Sequence, residues 1–280
     1  MVKTHGFSHD PNARFAGSVP EMYDRHLGPV IFEPYAQDLA RRVVAEVRSG
    51  PVLEVGCGTG VLTQRLFELL PADVELVATD LNEPMVEFAR SKLGDDRVRW
   101  QQADAMNLPF PAASFTAVVC QFGLMFVPDK AAAFREARRV LGEGGLLAFS
   151  VWDSIEKNPI ARIAHSTISR LFPKDPPNFY EVPFGFHDPK LLGQLLSTHG
   201  FSRPTIEHVT LEAVSPSAAS FAEGLVRGNP VGAAIQDRGG SLDNVVQAIE
   251  MALQAECGDN PVRSPMRALV VMARAASEAR

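Results

Sequence analysis

Val52-Leu53-Glu54-Val55-Gly56-Cys57-Gly58-Thr59-Gly60 joins a short apolar strand to a glycine-rich turn and places a carboxylate inside the strand. Glycines at alternate positions allow positive φ and bring the backbone close to a ligand. The run that follows, Val61-Leu62-Thr63-Gln64-Arg65-Leu66, reads as a helix start. A strand, a tight turn and a helix N-terminus in that order make a nucleotide-type site.

Working outward, strand-like and helix-like segments alternate with short links between Pro51 and Ser150. The expected order is strand 52–55, helix 60–70, strand 74–79, helix 83–93, strand 97–101, strand 116–121, helix 129–141 and strand 145–151. That alternation predicts an α/β fold, a doubly wound and mostly parallel sheet of seven strands with its last strand antiparallel, covered by helices on both faces. Before it, apolar residues from Met22 to Val47 recur at helical spacings, and Pro29 and Pro34 divide the segment into pieces. After Trp152 the expectation is a helix from Ile160 to Leu171, a proline-rich loop, a helix over 188–199 and a strand over 204–213. Helices over 217–227 and 242–256 then flank a Gly/Pro/Asn-rich turn at 228–240, ahead of a final strand at 266–273. The expected organisation is an N-terminal helical lid at 1–50, a binding core at 51–153, a cap insertion at 154–187 and a core helix and strand at 188–213. A helical cap at 214–262 and a final core strand with tail at 263–280 complete it.

The chain has 280 residues, 46% of them apolar, enough to bury a full core. A formal charge of −6 with no Lys/Arg run argues against nucleic-acid binding, which needs clustered cations. Cys57, Cys120 and Cys257 are far apart and form no Cys-x-x-Cys pair, so neither a disulfide framework nor a structural zinc site is indicated, and no His/Asp/Glu ligand cluster suggests another metal. Met1 to Asp10 is polar, and no apolar run reaches the roughly 18 residues of a membrane span. The expectation is a cytoplasmic protein of unknown oligomeric state, with a small-molecule substrate, no nucleic-acid partner and no membrane span.

In an open parallel sheet, ligands bind beyond the carboxyl ends of the strands where strand order reverses. Four strand ends carry suitable chemistry: Glu54 with Gly56, Gly58 and Gly60; Thr79-Asp80-Leu81-Asn82; Asp104-Ala105; and Cys120-Gln121-Phe122-Gly123. Asp80 can accept two hydrogen bonds from a ribose diol, and Asp104 with the next backbone N–H can read an adenine edge. Each also has a plain reading, Asp80 and Asp104 as turn or cap residues and Met85 as core.

In order, the four ends resemble the motifs of class I S-adenosylmethionine-dependent methyltransferases, in the small-molecule branch typified by ubiquinone/menaquinone-biosynthesis (type 11) enzymes. The resemblance covers 51–152 and extends to Leu108-Pro109-Phe110-Pro111 and to Arg138 through Leu147. It implies S-adenosyl-L-methionine as cofactor and methyl transfer to an O, N or C atom of a small, apolar or aromatic molecule. It further implies that Gly56, Gly58 and Gly60 lie beside the methionine portion, that Glu54 organises the amino end and that Asp80 binds the ribose. Met85 would pack on the adenine, the Gln121 carbonyl would meet the amino group, and Leu81, Asp104, Ala105 and Met106 would complete the adenosine pocket. Tyr23 would reach the cofactor carboxylate. Glu54 stands where many relatives carry Asp.

Two other readings follow from the same residues: a cofactor-binding regulator that methylates nothing, and a nicotinamide-dependent oxidoreductase. The second needs Gly-x-Gly-x-x-Gly, and Val61 occupies its last position. On the acceptor side, His187 is the preferred candidate base, ahead of His26 and His165, because it follows the aromatic loop Phe179-Tyr180 to Phe186. Phe15, Trp152, Phe172, Phe179, Phe184 and Phe221 offer apolar surface, Phe32 and Tyr35 sit in the N-terminal helices, and Arg14, Arg162 and Arg227 are candidates for a substrate carboxylate.

Overall fold

The computed structural model describes residues 11–15, 17–94 and 97–276. A sheet of seven strands runs in the order β3-β2-β1-β4-β5-β7-β6. The strands are β1 (Val52–Val55), β2 (Leu76–Asp80), β3 (Val98–Gln102), β4 (Phe115–Gln121), β5 (Leu141–Trp152), β6 (Phe201–Ser215) and β7 (Val262–Ala275). β1 pairs in parallel with β2 on one side and β4 on the other, so strand order reverses at β1 and opens a crevice beyond its carboxyl end. β7 is antiparallel to both β5 and β6.

The helices are α1 (Val19–His26), α2 (Glu33–Glu46), α3 (Val61–Leu69), α4 (Glu83–Leu93), α5 (Lys130–Val140), α6 (Pro159–Leu171), α7 (Pro189–Thr198), α8 (Ala218–Arg227), α9 (Val231–Asp237) and α10 (Leu242–Cys257). Side-chain caps define several starts: Asp129 accepts from Ala132 N, Asp188 from Lys190 N, and Ser217 from Ser220 N. Pro29 and Pro34 do not interrupt helices. Each occupies the first turn of one, a π-helical turn at Gly28–Phe32 and then α2, where the missing N–H has no partner to lose.

Three expectations need correction. The turn at 228–240 contains α9, because Val231 and Ile235 bury one face of a short helix there. β5 begins at Leu141, with Gly142 to Gly145 forming a bulge between the pairs Phe115↔Leu141 and Ala117↔Leu146. β6 and β7 outrun their apolar cores and pair from Phe201↔Ala275 to Ser215↔Val262, since the exposed residues of this outer ladder show no strict alternation.

Two apolar clusters sandwich the sheet. Ala36, Leu39, Val43, Leu62 and Leu66 of α2 and α3 pack with Val52, Leu76 and Val119 on one face. Leu53, Val55 and Val118 point to the other face, which also receives Phe134, Phe149 and the helices of the C-terminal half. Alternation along β1 therefore sends Glu54 toward the α2/α3 side, where Thr63 of α3 lies beside its carboxyl. Among the described residues, no helix is long and apolar enough to cross a membrane.

Candidate functional site

The switch-point crevice is a polar chamber of about 840 Å³, lined by Gly56, Gly58, Asp80, Leu81, Met85, Asp104, Ala105, Met106, Gln121 and Tyr23. A smaller recess of about 290 Å³ continues from it beneath the glycine turn and adds Glu54, Thr59 and Phe32. A second chamber of about 690 Å³ adjoins the first across Tyr23, Phe122 and Phe126, and its walls are Phe32, Trp152, Phe179, Tyr180, Phe184 and Phe221 with aliphatic neighbours. Tyr23 lines all three spaces.

The turn is held open from β2. Gly56, Gly58 and Gly60 have φ of 73°, 54° and 81°, all in the left-handed region. Asp80 Oδ2 accepts from Gly58 N at 2.9 Å, while Oδ1 accepts from Asn82 N at 2.8 Å and from Asn82 Nδ2 at 3.3 Å. Asp80 thus combines the turn role and the chamber role that the sequence left as alternatives. Burial raises its pKa, and the N–H groups of Asn82 and Gly58 work against that rise. Asp104 does likewise, since its Oδ1 accepts from Met106 N at 2.8 Å while the residue lines the chamber.

Glu54 is 1% exposed, and burial, reinforced by the Asp80 charge, pushes its carboxyl up to about 8. Its Oε2 is buried without a hydrogen-bond partner, and so is Oε1 of Gln121, whose Nε2 donates to Phe32 O at 3.0 Å. Two unpaired acceptors beside one recess make a strong site for a cationic N–H donor. Burial and the nearby Asp80 charge also hold the Tyr23 phenol well above its usual range.

Gly60 departs from its expected place. Its backbone faces α4, where an added Cβ would lie 3.1 Å from Ala89 Cβ, so this glycine serves helix packing and lines neither chamber. His187 also stays outside: its Nδ1 is 2.8 Å from Phe184 O, and neither chamber includes it, because the ring turns back onto its own loop. His26, bonded to Ser220 Oγ at 2.9 Å, and His165 are absent from the lining too. Arg162 pairs with Glu256, and Arg227 with Glu223 and Asp243, while Arg14 is exposed. Phe172 packs near Gly240 rather than in the apolar chamber. Tyr35 is core, with its hydroxyl donating to Val209 O and Met266 O.

Other residues take places that the sequence did not assign them. Ala13 and Phe15 roof the polar chamber, held by Asn82, whose Nδ2 donates to Ala13 O at 3.1 Å and whose Oδ1 accepts from Phe15 N at 3.2 Å. Phe122, at φ 54°, stacks on Trp152 with centroids 3.9 Å apart and forms the wall between the chambers. Gly123 lies behind it because a Cβ there would meet Cys120 Sγ at 2.8 Å. The Phe-Gly pair after an apolar strand was the only sequence signal for this wall.

A family model described as a methyltransferase domain matches residues 53–149. The chain is 34% identical over 131 residues to a ubiquinone/menaquinone biosynthesis C-methyltransferase of Proteus mirabilis, covering 45% of this chain and 52% of the relative. It therefore spans about half the length of that curated relative. A demethylmenaquinone methyltransferase of Staphylococcus saprophyticus is 30% identical over 203 residues, which is 67% of this chain and 86% of the relative. The solved phosphoethanolamine N-methyltransferase 2 of Haemonchus contortus, in complex with S-adenosyl-L-methionine, superposes with a TM-score of 0.58 at 15% identity, covering 92% of this chain and 57% of that one, and shows the shared fold. Taken with the glycine turn and its Asp80 brace, the extended match to the Staphylococcus enzyme places this chain in the class I S-adenosylmethionine-dependent methyltransferase family, on the branch of the ubiquinone and menaquinone biosynthesis enzymes.

Proposed function

We propose that the protein transfers a methyl group from S-adenosyl-L-methionine to a small, largely apolar acceptor held in the aromatic chamber. The observation that carries this reading is the junction at Tyr23, where a polar chamber with orphaned acceptor oxygens meets an apolar one. The family cofactor supplies, when bound, an electrophilic methyl group on a sulfonium centre.

The residues present fit that cofactor. Glu54 Oε2 and Gln121 Oε1 would accept from its ammonium end, and a Cβ at Gly58 would meet nothing within 4 Å, which leaves the turn open as a cradle. Asp80 would take the ribose hydroxyls on lone pairs left beside its backbone bonds, and Met85 with Leu81 and the Asp104–Met106 turn would enclose the base. Gly60 would act through the packing of α3 against α4. Tyr23, between the chambers, would close over the cofactor's amino-acid end.

The aromatic chamber excludes water and orients the acceptor. Among the described residues, no carboxylate, histidine, lysine, arginine or cysteine lines it. Its chemistry is therefore placement: the acceptor arrives with its own nucleophilicity, and a dry wall keeps the reacting atoms together. The described parts of residues 1–50, 154–187 and 214–262 form the cap on this reading, with the described parts of 51–153, 188–213 and 263–280 as its base.

Calorimetry with S-adenosylhomocysteine, followed by transfer of a labelled methyl group to a panel of apolar aromatic acceptors, tests the proposal. Binding and transfer are expected. A folded protein that binds no S-adenosylhomocysteine overturns the cofactor reading, and tight binding without transfer to any acceptor class overturns the enzymatic one.

A further inference from the structure

The apolar chamber holds few oxygen-bearing side chains, and most are already occupied. Tyr180 donates its hydroxyl to Leu225 O at 2.9 Å. Asn158 donates to Asp153 O, Ser154 O and Arg267 O, and its Oδ1 accepts from Arg267 N at 2.9 Å. Tyr23 belongs to the border with the polar chamber. Asn229 differs from all of these.

Asn229 is 9% exposed and lines the apolar chamber. Its Nδ2 donates to Leu225 O at 3.1 Å and, more weakly, to Gly224 O at 3.4 Å. Both partners are carbonyls, which accept only, so they fix which end of the amide is nitrogen and which is oxygen. Oδ1 is left without a partner among the described residues. Gly228 makes this placement possible: a Cβ there would stand 3.1 Å from the Tyr23 Cα, so only glycine lets the α8–α9 turn sit directly against α1. An amide oxygen that opens into the chamber and is unpaired within the protein is free to accept from a ligand.

We infer that Asn229 Oδ1 is a specificity-determining acceptor that reads a hydroxyl or N–H on an otherwise flat, apolar methyl acceptor. The inference rests on the methyl-transfer reading for the role of the chamber. An amide oxygen holds a proton in a hydrogen bond but does not remove it, so Asn229 orients the acceptor and is a positioning residue.

The test uses naphthol, its methyl ether and naphthalene as probes, with binding followed by calorimetry in the full chain saturated with S-adenosylhomocysteine. Naphthol is expected to bind roughly tenfold more tightly than either of the others, the scale of one hydrogen bond to an otherwise unpaired buried group. In Asn229→Ala the preference should shrink to within about twofold. Because the readout is a ratio, loss of overall affinity in a loosened variant does not imitate the effect. Should Asn229→Ala fail to fold, the wild-type comparison still decides: ether binding as tightly as naphthol, or naphthalene binding as tightly, overturns the inference. A naphthol preference that persists in a folded Asn229→Ala also overturns it. Loss of S-adenosylhomocysteine binding would instead fall on the cofactor reading, and is seen separately.

Discussion

The two chambers that meet at Tyr23 are built on opposite principles. The polar one is assembled from the ends of consecutive strands, so among the described residues those at 54–128 supply nearly all of its wall, joined by Ala13, Phe15, Tyr23 and Phe32. The apolar one draws on α1, the loop after β4, α6, the 179–184 turn, α8 and β7, from Tyr23 to Met266. The first presents preset backbone and carboxylate geometry. The second presents, among the described residues, no charged side chain. A cofactor common to a family can be met by a local motif, while an acceptor particular to one enzyme is met by segments free to vary.

The sharpest way to break this division is Trp152→Ala. Trp152 is buried and stacks on Phe122 while touching the rings of Phe32, Tyr35 and Phe184. Removing it should cost roughly 3–5 kcal/mol of unfolding free energy by chemical denaturation. Yet the remaining folded protein should bind S-adenosylhomocysteine within about twofold of wild type, because Trp152 lines the apolar chamber and neither the polar one nor its recess. A large loss of that affinity would show the chambers to be one site.

Asp80→Ala should do the reverse. Three N–H donors lose their acceptor and the glycine turn loses its brace, so affinity for S-adenosylhomocysteine by calorimetry should fall roughly a hundredfold, with naphthalene binding in the apolar chamber much less affected.

A smaller effect concerns Glu54 and pH. Its carboxyl rises from an ordinary 4.5 to about 8 in the folded protein. An acid raised in this way contributes stability that is complete below its unfolded pKa and is lost as pH rises through the folded one. Cofactor-free protein should therefore lose stability between about pH 5 and about pH 8, and Glu54→Gln should flatten that slope in urea melts. Affinity for S-adenosylhomocysteine should rise over the upper part of the same window in wild type alone, since its ammonium favours the ionised carboxylate. Parallel slopes in the two proteins would remove Glu54 from the account.

The smallest expected effect is that of His187→Ala. Its ring bonds Phe184 O and lines neither chamber, so labelled-methyl transfer and S-adenosylhomocysteine binding should stay within about twofold of wild type. A deep loss of transfer alone would restore it as the base suggested by its place after an aromatic loop.

Most of the polar chamber was legible before any fold was known. Glu54, Gly56, Gly58, Asp80, Asp104 and Gln121 each lie at or just beyond the carboxyl end of a recognisable strand, and the doubly wound topology necessarily gathers successive strand ends along one sheet edge. Gly60 shares the spacing of Gly56 and Gly58, yet its Cβ direction points to Ala89, a matter of helix packing that spacing does not record. Phe15 was seen only as apolar surface, since nothing local announces that Asn82, far along the chain, holds its backbone over the chamber.

The sequence alone determined the sheet, its antiparallel last strand and the chemistry of its strand ends, because strand alternation, glycine conformation and short crossovers are local rules. Tertiary structure alone decided that Glu54 and Gln121 hold unpaired oxygens beside one recess, that His187 turns away, and that Asn229 faces the aromatic chamber. Those outcomes depend on which distant segments pack together and on what polar partners burial leaves behind, and no periodicity within a segment records either.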